Sequence, residues 1–125
     1  MDLDSIRTYC LSLPHATEDI QWGNDLLFRI SGKIFTGISL DPPHSLSFKC
    51  TPEKFDELIE LEGIIPAPYT ARNKWVMLER PDALSDREIK SLIENSYQMI
   101  FAKLTKKAQA ELGSTKKTTR PPAKK

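Results

Sequence analysis

The sequence predicts an α+β fold, a two-layer sandwich in which helices pack on one face of an antiparallel sheet. Three consecutive segments alternate apolar and polar residues with a period of two, which is typical of strands with one buried and one wet face. The segments before and after them repeat apolar residues at steps of three and four, the spacing of one helix face. The predicted order of elements is therefore α-β-β-β-α-β(β)-α.

Alternation and turn residues define the three strands. They are predicted at Leu26–Ile30, Ile34–Leu40 and Ser45–Cys50. The side chains expected on the buried face are Leu26, Phe28 and Ile30, then Ile34, Thr36, Ile38 and Leu40, then Leu46, Phe48 and Cys50. Ser31-Gly32 suits a two-residue hairpin turn, and residues 41–44 form the second turn. A further strand is predicted around residues 75–78, paired with Ile64-Ile65 or with the edge of the three-stranded unit.

Capping residues set the helix boundaries. Asp2 caps a first helix that Pro14 ends, and Thr51-Pro52 opens a second that stops at Gly63. Residues 85–88, Ser-Asp-Arg-Glu, form a capping box at the start of the longest helix. A short last helix is expected from Thr105 to Leu112, with Gly113 as its end, and residues 15–24 are expected to be loop.

Length and charge predict one folded domain, residues 1–112, followed by a basic disordered tail, residues 113–125. The segment 114–125, STKKTTRPPAKK, contains five cations and no acid. Of the 18 Lys and Arg residues, 13 remain in residues 1–113 against all 17 acids, a net charge of −4. The folded part is thus not the strongly basic body of a typical DNA-binding domain.

No apolar run is long enough to span a bilayer, and the acidic start, Met1 to Asp4, is unlike a signal peptide. The expected compartment is therefore the cytoplasm. Cys10 and Cys50 both fall on apolar faces, so buried free thiols are favoured over a disulfide or a metal pair. His15 and His44 are expected in loops without a third ligand, so no metal site is predicted.

Short motifs along most of residues 1–112 carry a family resemblance. They are Tyr9–Pro14 with Ala16-Thr17-Glu18, Phe28 with Gly32–Phe35, Ser47–Cys50 with Pro52-Glu53, Pro66–Tyr69 with Lys74–Val76, Ser96-Tyr97 and Ala102–Leu104. In this order and spacing the chain resembles the MmcQ/YjbR family of small bacterial proteins. The resemblance implies a secretion-chaperone-like α+β architecture that has been compared with double-wing DNA-binding domains.

The chain departs from that family at one run of residues. Many members have His-x-Asn-Lys-x-His-Trp before a strand, whereas the aligned positions here are Tyr69, Ala71, Arg72, Lys74 and Trp75. Only the tryptophan is kept, and arginine at position 72 preserves a lysine's charge. A role for those histidines is therefore not expected in this protein.

A DNA-binding surface is the first functional hypothesis. Strand parity places Arg29 and Lys49 on the wet sheet face, with Lys33 at the adjoining hairpin. The full candidate set is Arg29, Lys33, Lys49, Tyr69, Arg72, Lys74, Trp75 and, in the tail, Lys116, Lys117 and Arg120. The same cations also suit an ordinary solvated face, and Trp75, Tyr69 and Trp22 suit anchoring of the core or of loops.

The alternative hypothesis is a protein-interaction or chaperone-like adaptor that uses the sheet face or an edge strand. The sequence has no Gly-rich phosphate loop and no nucleophile–base pair, so neither a cofactor nor catalysis is predicted. The expected partner is DNA or a protein, not a membrane, and the sequence leaves the oligomeric state open.

Overall fold

The computed structural model describes residues 1–68 and 70–117 and contains one six-stranded antiparallel sheet in the order β1-β2-β3-β4-β6-β5. The strands are β1 Thr17–Gln21, β2 Asp25–Ile30, β3 Lys33–Ser39, β4 Leu46–Lys49, β5 Ile64–Pro66 and β6 Trp75–Leu78. The helices are α1 Leu3–Ser12, α2 Pro52–Leu58, α3 Asp86–Ala102 and α4 Lys106–Lys117, with 3₁₀ turns at Ala71–Asn73 and Pro81–Ala83.

The core lies between the helices and one face of the sheet. It buries side chains of α1, α2 and α3 against the strands, among them Ile6, Cys10, Phe55, Leu58, Ile89, Ile93, Phe28, Phe48 and Val76. We call the opposite sheet face the outer face. The predicted α+β class with helices over an antiparallel sheet is confirmed. The capping box of α3 is also present, with Ser85 and Glu88 bonded reciprocally.

The loop predicted over residues 15–24 is wrong in its centre, because Thr17–Gln21 forms the edge strand β1 beside β2. Its sequence lacks apolar alternation, which is why the pattern did not indicate a strand. In addition to its ladder with β2, two ion pairs join this strand to α1 and β2. The Arg7 guanidinium donates from Nε to Glu18 at 2.8 Å, and Arg29 Nε donates to Asp19 at 2.8 Å.

A β-bulge changes the predicted buried face of β3. Phe28 pairs with Thr36 and Arg29 with Ile34, so Phe35 is the extra residue on β3. The predicted placement of Ile34 on the buried face is therefore wrong. Phe35 is fully buried instead, and its ring packs edge-on against Tyr97 at a centroid distance of 5.3 Å. Ile34 is half-buried and pairs with Arg29 of the outer face.

The buried Ser96 hydroxyl of α3 satisfies backbone groups at this bulge. It donates to the Phe35 carbonyl at 2.7 Å and accepts the Lys49 N–H at 3.0 Å. The neighbouring Tyr97 hydroxyl donates to the Pro14 carbonyl at 2.7 Å. Two consecutive residues of one helix thus fasten β3, β4 and the α1–β1 turn.

The last helix is longer than predicted, since α4 continues through Gly113 to Lys117. Its start agrees with the prediction, because the Thr105 hydroxyl accepts the Ala108 N–H at 3.1 Å. Gln109 Nε2 also donates to the Phe101 carbonyl in the last turn of α3, at 3.1 Å, and to the Leu104 carbonyl that follows the helix, at 3.0 Å. Residues 118–125 of the predicted tail lie outside the described residues. No helix of the described chain is long and apolar enough to cross a membrane.

Replacing Ser96 by alanine should lower the free energy of unfolding by about 2–6 kcal/mol. The change removes the hydrogen-bond partner of the partly buried Lys49 N–H and of the buried Phe35 carbonyl, at about 1–3 kcal/mol each. Urea denaturation measures the loss. Ser91→Ala, on an exposed position of the same helix, is the matched control and should be close to neutral. Equal stability of the two variants would contradict this role for Ser96.

Cys10 and Cys50 should react with a thiol reagent only when the protein unfolds. Both are free and buried, as predicted. Burial raises the pKa of the Cys10 thiol to about 12 and that of Cys50 to about 11, so the reactive thiolate is scarce at neutral pH. A chromogenic disulfide reagent should detect two thiols in guanidinium chloride and neither in buffer. Rapid reaction of one thiol in buffer would show that its site opens.

Candidate nucleic-acid interface

One end of the sheet collects cations, and the connections at this end contain no acidic residue. At this end β2 turns into β3, β4 ends, and residues 67–74 connect β5 to β6. The connections that meet there are residues 13–16, 31–32, 50–51 and 67–74, and their sequence contains no Asp or Glu. The cations there are Lys33, Lys49, Arg72 and Lys74. We call this the basic end.

The opposite end of the sheet is acidic. Its connections are residues 22–24, 40–45, 59–63 and 79–85. They carry Asp41, Glu60, Glu62, Glu79 and Asp82 against the single cation Arg80, which pairs with Asp82 at 3.0 Å. Successive connections of an antiparallel sheet lie at opposite ends, so the acid-free connections of the basic end lie opposite the connections that carry the acids. We call this second region the acidic end.

The C-terminal half of α3 lies at the basic end, because Ser96 and Tyr97 bond to Lys49 and Pro14 there. Lys103, which follows α3, is therefore part of the basic end. α4 follows it, and the Leu112 carbonyl contacts His15 Nε2 at 3.1 Å. The exposed Lys106 and Lys107 begin this helix.

Lys49 and Lys103 form the most concentrated positive charge of this end. Lys49 Nζ donates to the Asn73 carbonyl at 2.7 Å. This hydrogen bond ties the Lys49 side chain to the turn that precedes β6. Partial burial lowers the pKa of Lys49, and the neighbouring Lys103 ammonium lowers it further. Among the described residues, neither lysine takes part in an ion pair. Two close ammonium groups without a counter-ion favour the approach of an anion.

The turn before β6 presents Arg72 and Trp75. Ala71–Asn73 forms a single 3₁₀ turn, and Lys74 closes it in the left-handed region at φ 67°. The Lys74 ammonium lies 5.0 Å from the centre of the Phe55 ring, a cation–π contact. Arg72 is exposed, and Trp75 is half-buried.

Arg29 does not belong to this cluster of available cations. Its Nε donates to Asp19 at 2.8 Å and its NH1 group donates to the Gly32 carbonyl at 3.0 Å. The pair with Arg29 also lowers the pKa of Asp19. The sequence could not reveal this contact, because Asp19 was assigned to a loop rather than to the strand beside Arg29.

Four residues of the candidate set, Tyr69, Lys116, Lys117 and Arg120, stay predictions. Tyr69 and Arg120 lie outside the described residues. The backbone of Lys116 and Lys117 belongs to α4, but their side chains are also outside the described part. Of the described candidates, the fold brings five to the basic end: Lys33, Lys49, Arg72, Lys74 and Trp75. The sixth, Arg29, is neutralised by its ion pair with Asp19.

The outer face is a groove rather than the flat wet surface that alternation predicts. The groove has a volume of about 710 Å³ and is lined by Trp22, Asp25, Leu27, Ile34, Gly37, Ile38, Ser39, Ser45, Ser47, Ala67, Pro68, Thr70, Trp75 and Met77. Leu27 is only 3% exposed although it belongs to the outer face. It lies over Gly37, where an added Cβ would approach Leu27 Cδ2 to 3.1 Å.

The described residues include no group of three His, Cys, Asp or Glu side chains placed to hold a metal ion. His15 and His44 both contact backbone carbonyls, at 3.1 and 3.0 Å.

The fold and its charge separation define a small α+β domain with a basic end and a grooved outer face. The chain belongs to the YjbR family, whose model matches residues 11–99. None of the curated proteins matches it.

Solved structures share this fold, and two of them illustrate the likeness. The Deinococcus radiodurans protein DR2400, described as a DUF419 domain, is 25% identical, with a TM-score of 0.80 over 89% of this chain and 87% of its own. A Pseudomonas syringae protein is 24% identical, with a TM-score of 0.66 over 79% of this chain and 98% of its own. The predicted family resemblance is confirmed.

Asp19→Asn should destabilise the protein at neutral pH and not in acid. Because the pKa of Asp19 is lowered below its ordinary value of 3.8, its contribution to stability is present above that value and is lost as the pH falls through the lowered pKa. The free energy of unfolding of wild type and variant should therefore differ most near neutrality and converge in acid. Asp56→Asn, an exposed change on α2, is the control. A pH-independent difference would contradict the ion-pair assignment.

Proposed function

We propose that this protein binds nucleic acid through its basic end and has no catalytic activity. The observation that carries the proposal is the meeting of Lys33, Lys49, Arg72, Lys74 and Lys103 at one end of the sheet, where the connections 13–16, 31–32, 50–51 and 67–74 contain no Asp or Glu. Phosphate groups supply most of the affinity of nonspecific nucleic-acid binding, and clustered lysine and arginine residues are what they require.

The proposed nucleic-acid contact surface is the basic end and not the wet sheet face on which the sequence places Arg29 and Lys49. Arg29 is neutralised by Asp19, and the centre of the outer face is apolar around Leu27 and Met77. The cations lie at the end of the sheet where Trp75 closes the groove, and Lys49 is the Cα partner of Trp75 on the neighbouring strand. Such cations position a phosphate backbone without reading sequence.

The charge separation also sets the orientation of the complex. The acidic end carries five carboxylates in its connections against one arginine. It repels a polyanion while the basic end attracts it. Nucleic acid should therefore approach along one direction, even though residues 1–113 carry a net charge of −4.

Removing charge at the basic end should weaken binding, and removing the same charge elsewhere should not. In Arg72→Gln/Lys103→Gln, both positions are exposed, so folding is preserved while two phosphate contacts are lost. The slope of log affinity against log salt should become shallower by about 1.4–1.8, since each contact contributes about 0.7–0.9. Fluorescence anisotropy of a labelled oligonucleotide at several salt concentrations measures this.

The matched control is Arg87→Gln/Lys90→Gln, which removes two exposed cations near the start of α3. Its slope should equal that of the wild type. In the full chain, Lys116→Gln/Lys117→Gln/Arg120→Gln measures the part that the tail contributes. A site at the basic end would be refuted if the tail variant lost binding while Arg72→Gln/Lys103→Gln kept the wild-type slope of log affinity against log salt.

A protein partner is the second candidate, and the edge strand β1 favours it. Ile20 of β1 is 57% exposed and the following Trp22 is 71% exposed. The free edge of β1 can accept another strand, a common mode of peptide recognition. Absence of nucleic-acid binding, together with self-association that Ile20→Lys abolishes in sedimentation velocity, would favour this adaptor function instead.

A further inference from the structure

We infer that the groove of the outer face receives unpaired nucleobases, so that the ligand is a single strand rather than a duplex. This inference rests on the proposed function and names its substrate class. It follows from the position of the groove beside the basic end, from its aromatic and small side chains, and from the charge at its two ends.

The size of the groove suits flat rings. Its volume of about 710 Å³ lies within the range of about 300–1,000 Å³ found for small-ligand sites. In a duplex the base faces are stacked on one another and are not available to a protein side chain. Only unpaired bases can enter a groove of this kind and lie against its walls.

Tryptophan side chains line the groove. Trp75 is half-buried at the basic end, where β6 begins, and Trp22 is 71% exposed in the connection at the acidic end. A fixed, partly buried ring such as Trp75 offers a face on which a base can stack, whatever its identity. Lys49 is the Cα partner of Trp75 on the adjacent strand, about 5 Å away. A base on Trp75 therefore has a cation within reach of its phosphate.

Small residues keep the floor of the groove open. In one cross-strand row, Leu27, Gly37, Ser47 and Met77 follow one another across β2, β3, β4 and β6. Leu27 lies over Gly37, which has no side chain, and the small Ser47 next to it leaves the floor open between Leu27 and Met77. A ring that enters there contacts Leu27 and Met77 from above the floor.

The charges at the two ends fix how a strand would lie. The groove end formed by Thr70 and Trp75 lies at the basic end, where Lys49 is the Cα partner of Trp75, whereas Asp25 lines the other end. A carboxylate repels phosphate but accepts a hydrogen bond from an N–H group of a base edge, such as an exocyclic amino group or the N3–H of thymine. The backbone should therefore stay at the basic end while bases point into the groove. An apolar peptide without anionic groups would make no use of this asymmetry.

Three labelled probes of equal phosphate number test the inference on the full chain: oligothymidylate, the same backbone without bases, and a duplex of half the length. Anisotropy gives the affinity of each, and tryptophan emission reports stacking. Oligothymidylate should bind about tenfold or more tightly than the abasic strand, because each stacked base contributes substantially. It should also quench tryptophan emission, which the abasic strand should not do.

Two changes at one position separate the groove from the charges. Ser47→Leu fills the floor, and Ser47→Ala keeps it open. Ser47→Leu should reduce the affinity for oligothymidylate to that of the abasic strand, while its abasic affinity and salt slope stay as in the wild type. Ser47→Ala should bind like the wild type. Trp75→Phe, which keeps a ring, provides a second variant and should lose only part of the base-dependent affinity.

The outcomes distinguish this inference from the function on which it rests. The role of the groove would be overturned if oligothymidylate and the abasic strand bound equally well, or if a folded Ser47→Leu variant bound oligothymidylate like the wild type. Either result would leave phosphate binding at the basic end intact. Tighter binding of the duplex than of the single strand would overturn it as well. Binding of none of the three probes would refute the proposed function itself.

Discussion

The Ser96 hydroxyl is the interaction on which the arrangement of the sheet depends. The bulge at Phe35 interrupts the β3 ladder and leaves backbone groups of β3 and β4 to be satisfied in the interior. One side chain from α3 donates to the first and accepts from the second. Because the next residue, Tyr97, packs on the Phe35 ring and bonds to Pro14, the helix, the bulge and the α1–β1 turn hold one another in place.

The same bulge gives the two faces of the sheet their different characters. The extra residue lets Phe35 enter the core and places Ile34 beside the outer groove. Further along β3, Gly37 has no side chain, and Leu27 of β2 fills the space above it. A regular β3 would have buried Ile34 instead, and a larger residue at position 37 would have raised the floor of the groove. Core packing and groove shape therefore have a common origin in one strand.

Local signals predicted much of the fold, and long-range contacts account for what they missed. Thr51-Pro52, the capping box at Ser85 and the Ser31-Gly32 turn act within four residues, so the sequence indicates them directly. β1 is held by ion pairs to Arg7 and Arg29, and alternation cannot detect a polar edge strand. The candidate cations were recognisable as residue types. Their meeting at one end was not, because it requires the antiparallel topology that brings residues 33, 49, 72 and 103 together.

Net charge is a poor guide to what such a domain attracts. β3 has seven residues and is thus about 23 Å long at roughly 3.3 Å per residue. Screening by physiological salt acts over about 8 Å. The acidic connections at one end of the strands are therefore largely screened from an anion at the other, where Lys49 and Lys103 lie close together. A polyanion responds to the local potential of the basic end. The sheet acts as a spacer between charges of opposite sign, which reconciles a net charge of −4 in residues 1–113 with a phosphate-binding surface.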